Sequence, residues 1–494
     1  MWWGVRVYLR ESRRTNRDRS VVRYLQLAHN ERHPTSGQPV AKVIHSFGRA
    51  ELVDRAALAR LVTSISRLLT AGEAAAAAAG SDVELVDSRH LGGAWVLGQV
   101  WNRLGIRAAI ARSAAGRKLD AAVAERVLFA LVAQRALAPA SKLAGTRWVA
   151  ERVAIEGLTG FTDDQGYRAM DFLLEALGEI GGEIFGSVAH LLNLDLDLVF
   201  VDTTSTYFEL DVPDELAELQ DTVDDDGVSR PAEQGARRFG HSKDLRTDLP
   251  QVVIAMAVTR DGVPVRCWTF PGNTADTSII RTVTGDLAGW ALRRMVWVAD
   301  RGFASAANRA YLTRGGGHYI HAEKLRHTNA EATAALARPG RYRTVAGNLR
   351  VKDMNPDHQS ELFTAYRNHA VFTNSPLAML AAEKAHRAHA IVEQVIADLK
   401  NGPLAHLPSG HFWANSAWLV CAAVAFNLTR AAGALASAFH ARATTGTIRT
   451  QLITVPGRLA RSARRLTLHL PTRWPWRKEW KQLATAANSP PKAA

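Results

Sequence analysis

Two apolar runs that each meet a carboxylate constrain this chain more than any other feature. "MVWVADRGF" (295–303) and "LVFVDTTSTYF" (198–208) drive β-branched and aromatic residues straight into an aspartate, Asp300 and Asp202. Runs of this kind build buried strands, but an unpaired buried charge costs several kcal/mol, on the order of the loss of more than one hydrogen bond. Asp300 is therefore expected at the end of a strand, facing a compensating partner or a metal. Asp202 is expected to close its strand in the same way, with the Leu/Asp alternation of 192–197 marking an earlier part with one buried face.

Around these two runs the pattern predicts a mixed α/β sheet with helices on its faces. "VVIAMAVT" and "VPVRCWTF", joined by "RDG", read as a hairpin. A helix near 277–290 leads back into the strand ending at Asp300, and "HYIHAE" (318–323) and "AVFTNS" (370–375) are further strands. The stretch 91–192 is helical in pattern, with segments near 92–103, 120–135, 141–154 and 166–192. Residues 21–49 read as two strands about a turn marked by Pro34, Ser36, Gly37 and Pro39, followed by a helix and by the Ala-rich stretch 73–80, a linker or helix end. At 494 residues more than one domain is expected. The boundaries read as a small N-terminal module over 1–80 and a helical, DNA-binding region over 81–191. A catalytic α/β domain over 192–440 follows, with an insertion near 304–369, and then a basic tail over 441–494.

The formal charge is +14, unevenly spread. Residues 1–32 hold eight arginines, and 442–492 hold eleven Lys/Arg against one acid, Glu479. Clustered cations at both ends point to a polyanion, nucleic acid first, although general enrichment in Arg gives the same count. Cys267 and Cys421 lack metal or disulfide spacing, and no long uninterrupted apolar stretch or signal-peptide order is present, so a cytoplasmic chain with no membrane partner is expected.

A third carboxylate comes from "AEKAHRAHAIVEQVIADLKNG" (382–402), read as one amphipathic helix. Separations of three, four and seven residues put His386, His389, Glu393 and Lys400 on one stripe, opposite Ile391, Val392, Val395, Ile396 and Leu399. Alone, that stripe is an ordinary solvated face. Together with Asp202 and Asp300, Glu393 completes a set suited to hard divalent cations, which take oxygen ligands from a few carboxylates and substrate phosphate. Two such ions promote in-line phosphoryl displacement.

These stretches resemble insertion-sequence transposases of the DDE type, in the branch with a Y-x2-R-x3-E-x6-K signature. The resemblance rests on "VFVDTTSTYFEL", "GHSKDLRTDLPQ", "GNTADTS", "VADRGF" and "AIVEQVIADLK", in family order, over roughly 195–440. It implies an RNase H-like core and a catalytic, metal-binding triad of Asp202, Asp300 and Glu393 holding two Mg²⁺ or Mn²⁺ ions. It also implies double-stranded DNA partners, both terminal inverted repeats and target DNA, a homodimer or larger assembly on that DNA, and a nucleoid-associated place in the cytoplasm. His386 and His389 stand where the signature has Tyr and Arg; with Lys400 they are candidate phosphate contacts.

Other residues carry two readings each. His241, Lys243, Asp244 and Arg246 contact DNA phosphates or order the active site, or else belong to a polar turn with internal salt bridges; Arg301 holds phosphate or pairs with a carboxylate; Gly302 lets the backbone turn after the strand. Asn273 and Asp276 form a helix N-cap region or border the site. The acidic run 224–227 reads as a solvated loop. Trp474, Trp476 and Trp480 stack on bases or pack on the protein. The function expected is metal-dependent cleavage at element ends with strand transfer. The alternatives are a catalytically idle DNA-binding regulator and a nuclease or resolvase on the same fold.

Overall fold

Three antiparallel strands, β1 (Val7–Thr15), β2 (Val21–Arg32) and β3 (Pro39–Arg49), open the chain in the order β1-β2-β3. In this computed structural model the described residues are 7–16, 18–33, 38–66, 89–210, 212–214, 222–223, 229–230, 236–288, 290, 295–323, 330–337, 342–346, 349–352, 370–402, 404, 409–462 and 465–489. The strand β1 was not anticipated, because every residue of "VYLRESRRT" after Leu9 is charged or polar, where a half-buried strand would alternate apolar ones. Helix α1 (Arg55–Ser66) follows, its first turn capped by the Asp54 carboxylate, which accepts from the N–H groups of Ala56 and Ala57. These elements belong to one unit, Met1–Asp87, and the rest to a second, Ser88–Ala494. The Ala-rich stretch 73–80 and the acidic run 224–227 lie outside the described residues.

The second unit begins with helices α2 (Gly92–Arg103), α3 (Ile106–Ala114), α4 (Ala121–Leu137), α5 (Lys142–Glu151) and α6 (Asp163–Leu192). All but α3 were legible as periodic segments. Asp120 caps α4, and Thr162 with Gln165 forms a reciprocal capping box on α6. Helix α4 is buried from Ala124 to Ala136 and takes Glu125 inside with it. Burial alone would raise that carboxyl's pKa, but the hydrogen bonds and charge of Arg126, the Trp101 indole and Arg107 outweigh it and hold it below the usual range.

A six-stranded sheet follows: β4 (Leu198–Tyr207), β5 (Gln251–Thr259), β6 (Pro264–Pro271), β7 (Val296–Ala299), β8 (His318–Glu323) and β9 (Ala370–Thr373). Its spatial order is β9-β8-β7-β4-β5-β6. The strands β4, β7 and β8 are mutually parallel, while β5, β6 and β9 pair antiparallel with their neighbours. The expected mixed sheet and the β5–β6 hairpin are present. The Leu/Asp stretch 192–197 is not part of β4, which starts at Leu198.

Helix α7 (Asp276–Leu287) lies between β6 and β7, and α8 (Ala306–Arg314) between β7 and β8. Within the expected insertion near 304–369 lie a short helix, Ala330–Ala337, and a two-stranded hairpin, Tyr342–Ala346 with Leu349–Lys352. Then come α9 (Met379–Arg387), α10 (Ala390–Lys400) and α11 (Phe412–Ala436). By length and composition α11 is apolar enough to cross a membrane, and most of it is buried against α4, α6 and β6. A helix buried nearly all round needs no polar face, which accounts for its composition.

The C-terminal residues pack on this unit. Helix α12 (Arg477–Asn488) lies against α11 and α2, burying Trp480, Leu483 and Ala487. Trp480 stacks on Trp95 at 6.1 Å and Trp476 on Phe439 at 6.2 Å, and the Trp474 indole donates to the Gln451 carbonyl. Of the two readings for these tryptophans, packing on the protein is the one observed.

Candidate active site

The parallel register brings two carboxylates level. Val201 pairs with Ala299 across β4 and β7, so the next residues, Asp202 and Asp300, stand side by side on the face that also carries Phe200 and Val298. Asp300 follows the last residue of β7, as expected. Asp202 does not end its strand: β4 continues to Tyr207, because β5 keeps pairing with it as far as Gln251. What ends at Asp202 is the neighbour β7, and that leaves the aspartate open on one side.

Burial pushes the Asp202 carboxyl above the usual carboxylate range. His389, the Thr203 N–H and Lys243 pull it back, and Asp300 pushes it further up. The Thr203 N–H donates to Asp202 at 2.7 Å, and the Arg301 N–H donates to Asp300. Two half-buried carboxylates side by side, with the charge of Asp202 disfavoured by burial and by Asp300, form a site that gains from a cation.

The helix read over 382–402 is two helices. Between α9 and α10 the chain tightens through Ala388 and His389, with bonds from His389 to His386, Ile391 to Ala388 and Val392 to His389 spanning three residues rather than four. Residues three apart eclipse in such a turn, and the rings of His386 and His389 lie stacked, 6.4 Å apart and 11° from parallel. His389 is buried; its Nε2–H donates to the Val201 carbonyl at 2.9 Å and its ring meets Phe200 edge-on. At the other end of α10, the Lys400 ammonium donates to the Ser205 carbonyl at 3.0 Å and to the Asp244 carboxylate at 3.0 and 3.2 Å. Glu393 lies four residues after His389 and seven before Lys400, on the same stripe, between two residues that grip β4 on either side of Asp202–Thr204. It is exposed, while Val392, Val395 and Leu399 are buried.

A fourth carboxylate, Asp276 in the first turn of α7, ties the motifs together. Its Oδ1 accepts from the Thr203 hydroxyl at 2.8 Å, and its Oδ2 lies 3.6 Å from the Lys243 ammonium. That same Oδ2 occupies the place where a Cβ on Gly302 would stand. The chain turns here, the Phe303 N–H donating to the Asp300 carbonyl, but without positive φ at Gly302, so the close approach of Asp276 is what requires glycine.

The other predicted residues are dispersed. Lys243 is exposed, and its N–H donates to Ser205 Oγ. Arg246 is held by Asp248 in a two-bond fork and lies over Tyr207, which is the polar-turn reading. His241 and Arg301 are exposed. His386 is half-buried beside His389. Asp244, read from the sequence as able to order the site, does so by holding Lys400. Sequence reasoning missed Thr203 and Ser205, which anchor the site, and His321, fully buried in β8 with neither ring nitrogen hydrogen-bonded among the described residues. Cys267 and Cys421 are buried thiols, each pushed up to about 12 by burial, and so inert.

Among the described residues, no group of three or more His, Cys, Asp or Glu side chains is close enough to hold a metal ion. The donor set that is assembled, Asp202 beside Asp300, still fits a hard divalent cation. Mg²⁺ takes one or two carboxylates and fills its remaining positions with water and phosphate oxygens.

Residues 9–77 match the N-terminal domain of the IS1634 family of transposases, and residues 359–489, which include Glu393 and Lys400, match the transposase DDE domain, group 1. No curated protein matches the chain. Among solved structures, a cryo-EM piggyBac transposase synaptic complex with hairpin DNA is 7% identical, with a TM-score of 0.35 over 73% of this chain and 77% of that one. With one transposase domain matched at each end of the sequence, the chain belongs to the insertion-sequence transposases of the DDE type.

Proposed function

We propose that the protein cuts DNA at the ends of its own element and joins them to target DNA, with Asp202, Asp300 and Glu393 as the catalytic carboxylates. The observation that carries this reading is the level pair Asp202/Asp300 on adjacent parallel strands, beneath a helix that His389 and Lys400 fasten to β4 on either side of Glu393. The sheet order supports an RNase H-like core: three antiparallel strands in a meander (β4, β5, β6), then two strands parallel to the first (β7, β8).

Asp202 and Asp300 would hold a divalent ion, Mg²⁺ or Mn²⁺, with Glu393 reaching them from α10; a second ion would need all three. Bound there, the metal supplies Lewis-acid stabilisation of charge on the phosphate and a more acidic attacking water or hydroxyl. The chain's own residues do the positioning. Asp276 and Thr203 hold β4 against α7, Lys243 places positive charge near both Asp202 and Asp276, and Arg301 is exposed beside Asp300 for a DNA phosphate. Hydrolysis of the phosphodiester at the element end leaves a 3′-hydroxyl. That hydroxyl then attacks a target phosphodiester, and one 3′-oxygen leaves as another bonds.

The protein acts in the cytoplasm on nucleoid DNA, as a homodimer or larger assembly. The test is cleavage and joining of labelled element ends with Mg²⁺ or Mn²⁺. Glu393→Gln abolishes cleavage and leaves DNA binding intact; cleavage at the wild-type rate by that variant overturns the assignment. Cleavage without joining identifies a nuclease.

A further inference from the structure

The two faces of the N-terminal sheet differ in how their charge is balanced. On one face Glu11 lies 3.3 Å from Arg13 and 4.0 Å from Arg23, Arg23 lies 3.3 Å from Glu51, and Glu31 is 2.9 Å from Lys42 and 3.4 Å from His29. Every cation in that network has an acid. The other face carries Tyr8, Arg10, Ser12 and Arg14 from β1, opposite Ala28, Gln26, Tyr24 and Val22 from β2, and Arg49 of β3 lies opposite Tyr24. Arg10, Arg14 and Arg49 are exposed, and none has an ion-pair partner among the described residues. The Tyr8 hydroxyl, bonded to Asn30 at 2.7 Å, confirms that these alternate positions share a side.

The geometry points to this face as a duplex-DNA-binding surface, the arginines on backbone phosphates and the polar side chains between them toward the base edges. A major groove about 12 Å wide admits two strands, so β1 and β2, which carry Arg10, Arg14, Ser12, Tyr24 and Gln26, would enter it while Arg49 of β3 stays at the backbone. Arg10 and Arg14 are four residues apart, about 14 Å along the strand, with Arg49 two strands across from them; the charges therefore rim a patch whose middle is Ser12, Tyr24 and Gln26. Gln pairs with adenine and Ser with several bases. An RNA duplex hides its major groove from side chains, and three arginines without acidic partners among the described residues favour a polyanion over a protein, although the face also carries Tyr8, Tyr24 and Val43. The choice of nucleic acid rests on the transposase reading above; the unbalanced face does not.

The test measures binding of the full chain to a labelled duplex of randomised sequence, several helical turns long, across a salt series. Arg10→Ala/Arg14→Ala/Arg49→Ala weakens binding at least tenfold near physiological salt, and it flattens the slope of log affinity on log salt by about 2 to 3, since each lost phosphate contact removes about 0.9. Arg→Lys at the same three positions keeps the slope. Arg13→Ala/Arg23→Ala, on the balanced face, leaves both readings near wild type. Circular dichroism of each variant matching wild type shows that the fold is kept. An unchanged slope in the triple alanine variant, or a wild-type chain without salt-dependent duplex binding, overturns the inference. A triple variant that loses DNA while the wild type binds but never cleaves leaves this face standing and removes the transposase reading; a triple variant that binds normally while the wild type cleaves does the reverse.

Discussion

His389 donates its Nε2–H to the carbonyl oxygen of Val201 at 2.9 Å, and Val201 is the residue before Asp202. A side chain expected to reach for phosphate is instead a buried peg that holds the helix carrying Glu393 against the strand carrying Asp202. The signature's Arg would present a fixed fork of donors; a His presents at most two, and here one is engaged within the protein.

His389→Ala should therefore lower stability by about 1–3 kcal/mol, the range for losing a buried hydrogen-bond partner together with some packing. Cleavage should fall, while affinity for DNA changes little. Urea unfolding, a cleavage assay and a binding titration on the same preparation check this. A variant with wild-type stability and weakened DNA binding would restore His389 to the phosphate-contact role.

Lys400 is engaged in the same way, by Asp244 and the Ser205 carbonyl. If Lys400 turns to a phosphate when DNA binds, Asp244 competes with that phosphate. Asp244→Asn should then tighten DNA binding, while Lys400→Ala weakens it and lowers the salt slope by about 0.9. Stability should change little in Asp244→Asn, because a half-exposed pair contributes about 0–1 kcal/mol. Binding titrations at two or more salt concentrations separate the cases.

How much of this was legible depended on which interactions set each feature. The hairpin β5–β6 was readable because two β-branched runs flank "RDG", a local signal. The level placement of Asp202 and Asp300 was only half readable: the apolar runs announced the strands, but where each stops is decided by its neighbours, so β4 runs on past Asp202 under pairing with β5. Strand β1 was hidden because six of its nine residues, Arg10 to Thr15, are charged or polar and give no apolar alternation. The break at Ala388–His389 carries no Pro or Gly; a tertiary bond to Val201 accompanies it, which a helical wheel cannot contain. Gly302 was read from the turn after β7, which is present, but the group that crowds a side chain there comes from Asp276, distant in the sequence, and no local signal carries it.

His321 gives the site's sheet a pH dependence. Burial, then the charges of Arg309, His386 and His389, lower its pKa from 6.5 to about 4. The folded protein thus binds fewer protons than the unfolded chain between those values, and its stability rises with pH across that window. As pH falls from about 6.5 to about 4, His321 should remove about 3 kcal/mol of stability, with no further loss below that. His321→Phe should remove that part of the acid dependence. Urea midpoints at intervals from pH 7 to pH 4 check it, and parallel curves for variant and wild type would refute it.

The last prediction concerns the contact between Asp276 and Gly302. A Cβ on residue 302 meets the Asp276 carboxylate, whereas the Asp276 Cβ itself is 3.4 Å away, an ordinary contact. Gly302→Ala should push Asp276 off Thr203 and disturb the chain just after Asp300, lowering stability by about 1–3 kcal/mol and lowering cleavage further. Asp276→Ala should also impair cleavage, by releasing Thr203 and Lys243. In the double variant the obstruction is gone, so the cost of Gly302→Ala should shrink, with a coupling of about 0.5–3 kcal/mol in a double-mutant cycle. Additive stabilities would mean that the glycine answers to something other than Asp276. Cleavage should stay low in the double variant even where stability recovers, because the carboxylate that aligns Thr203 beside Asp202 is still missing.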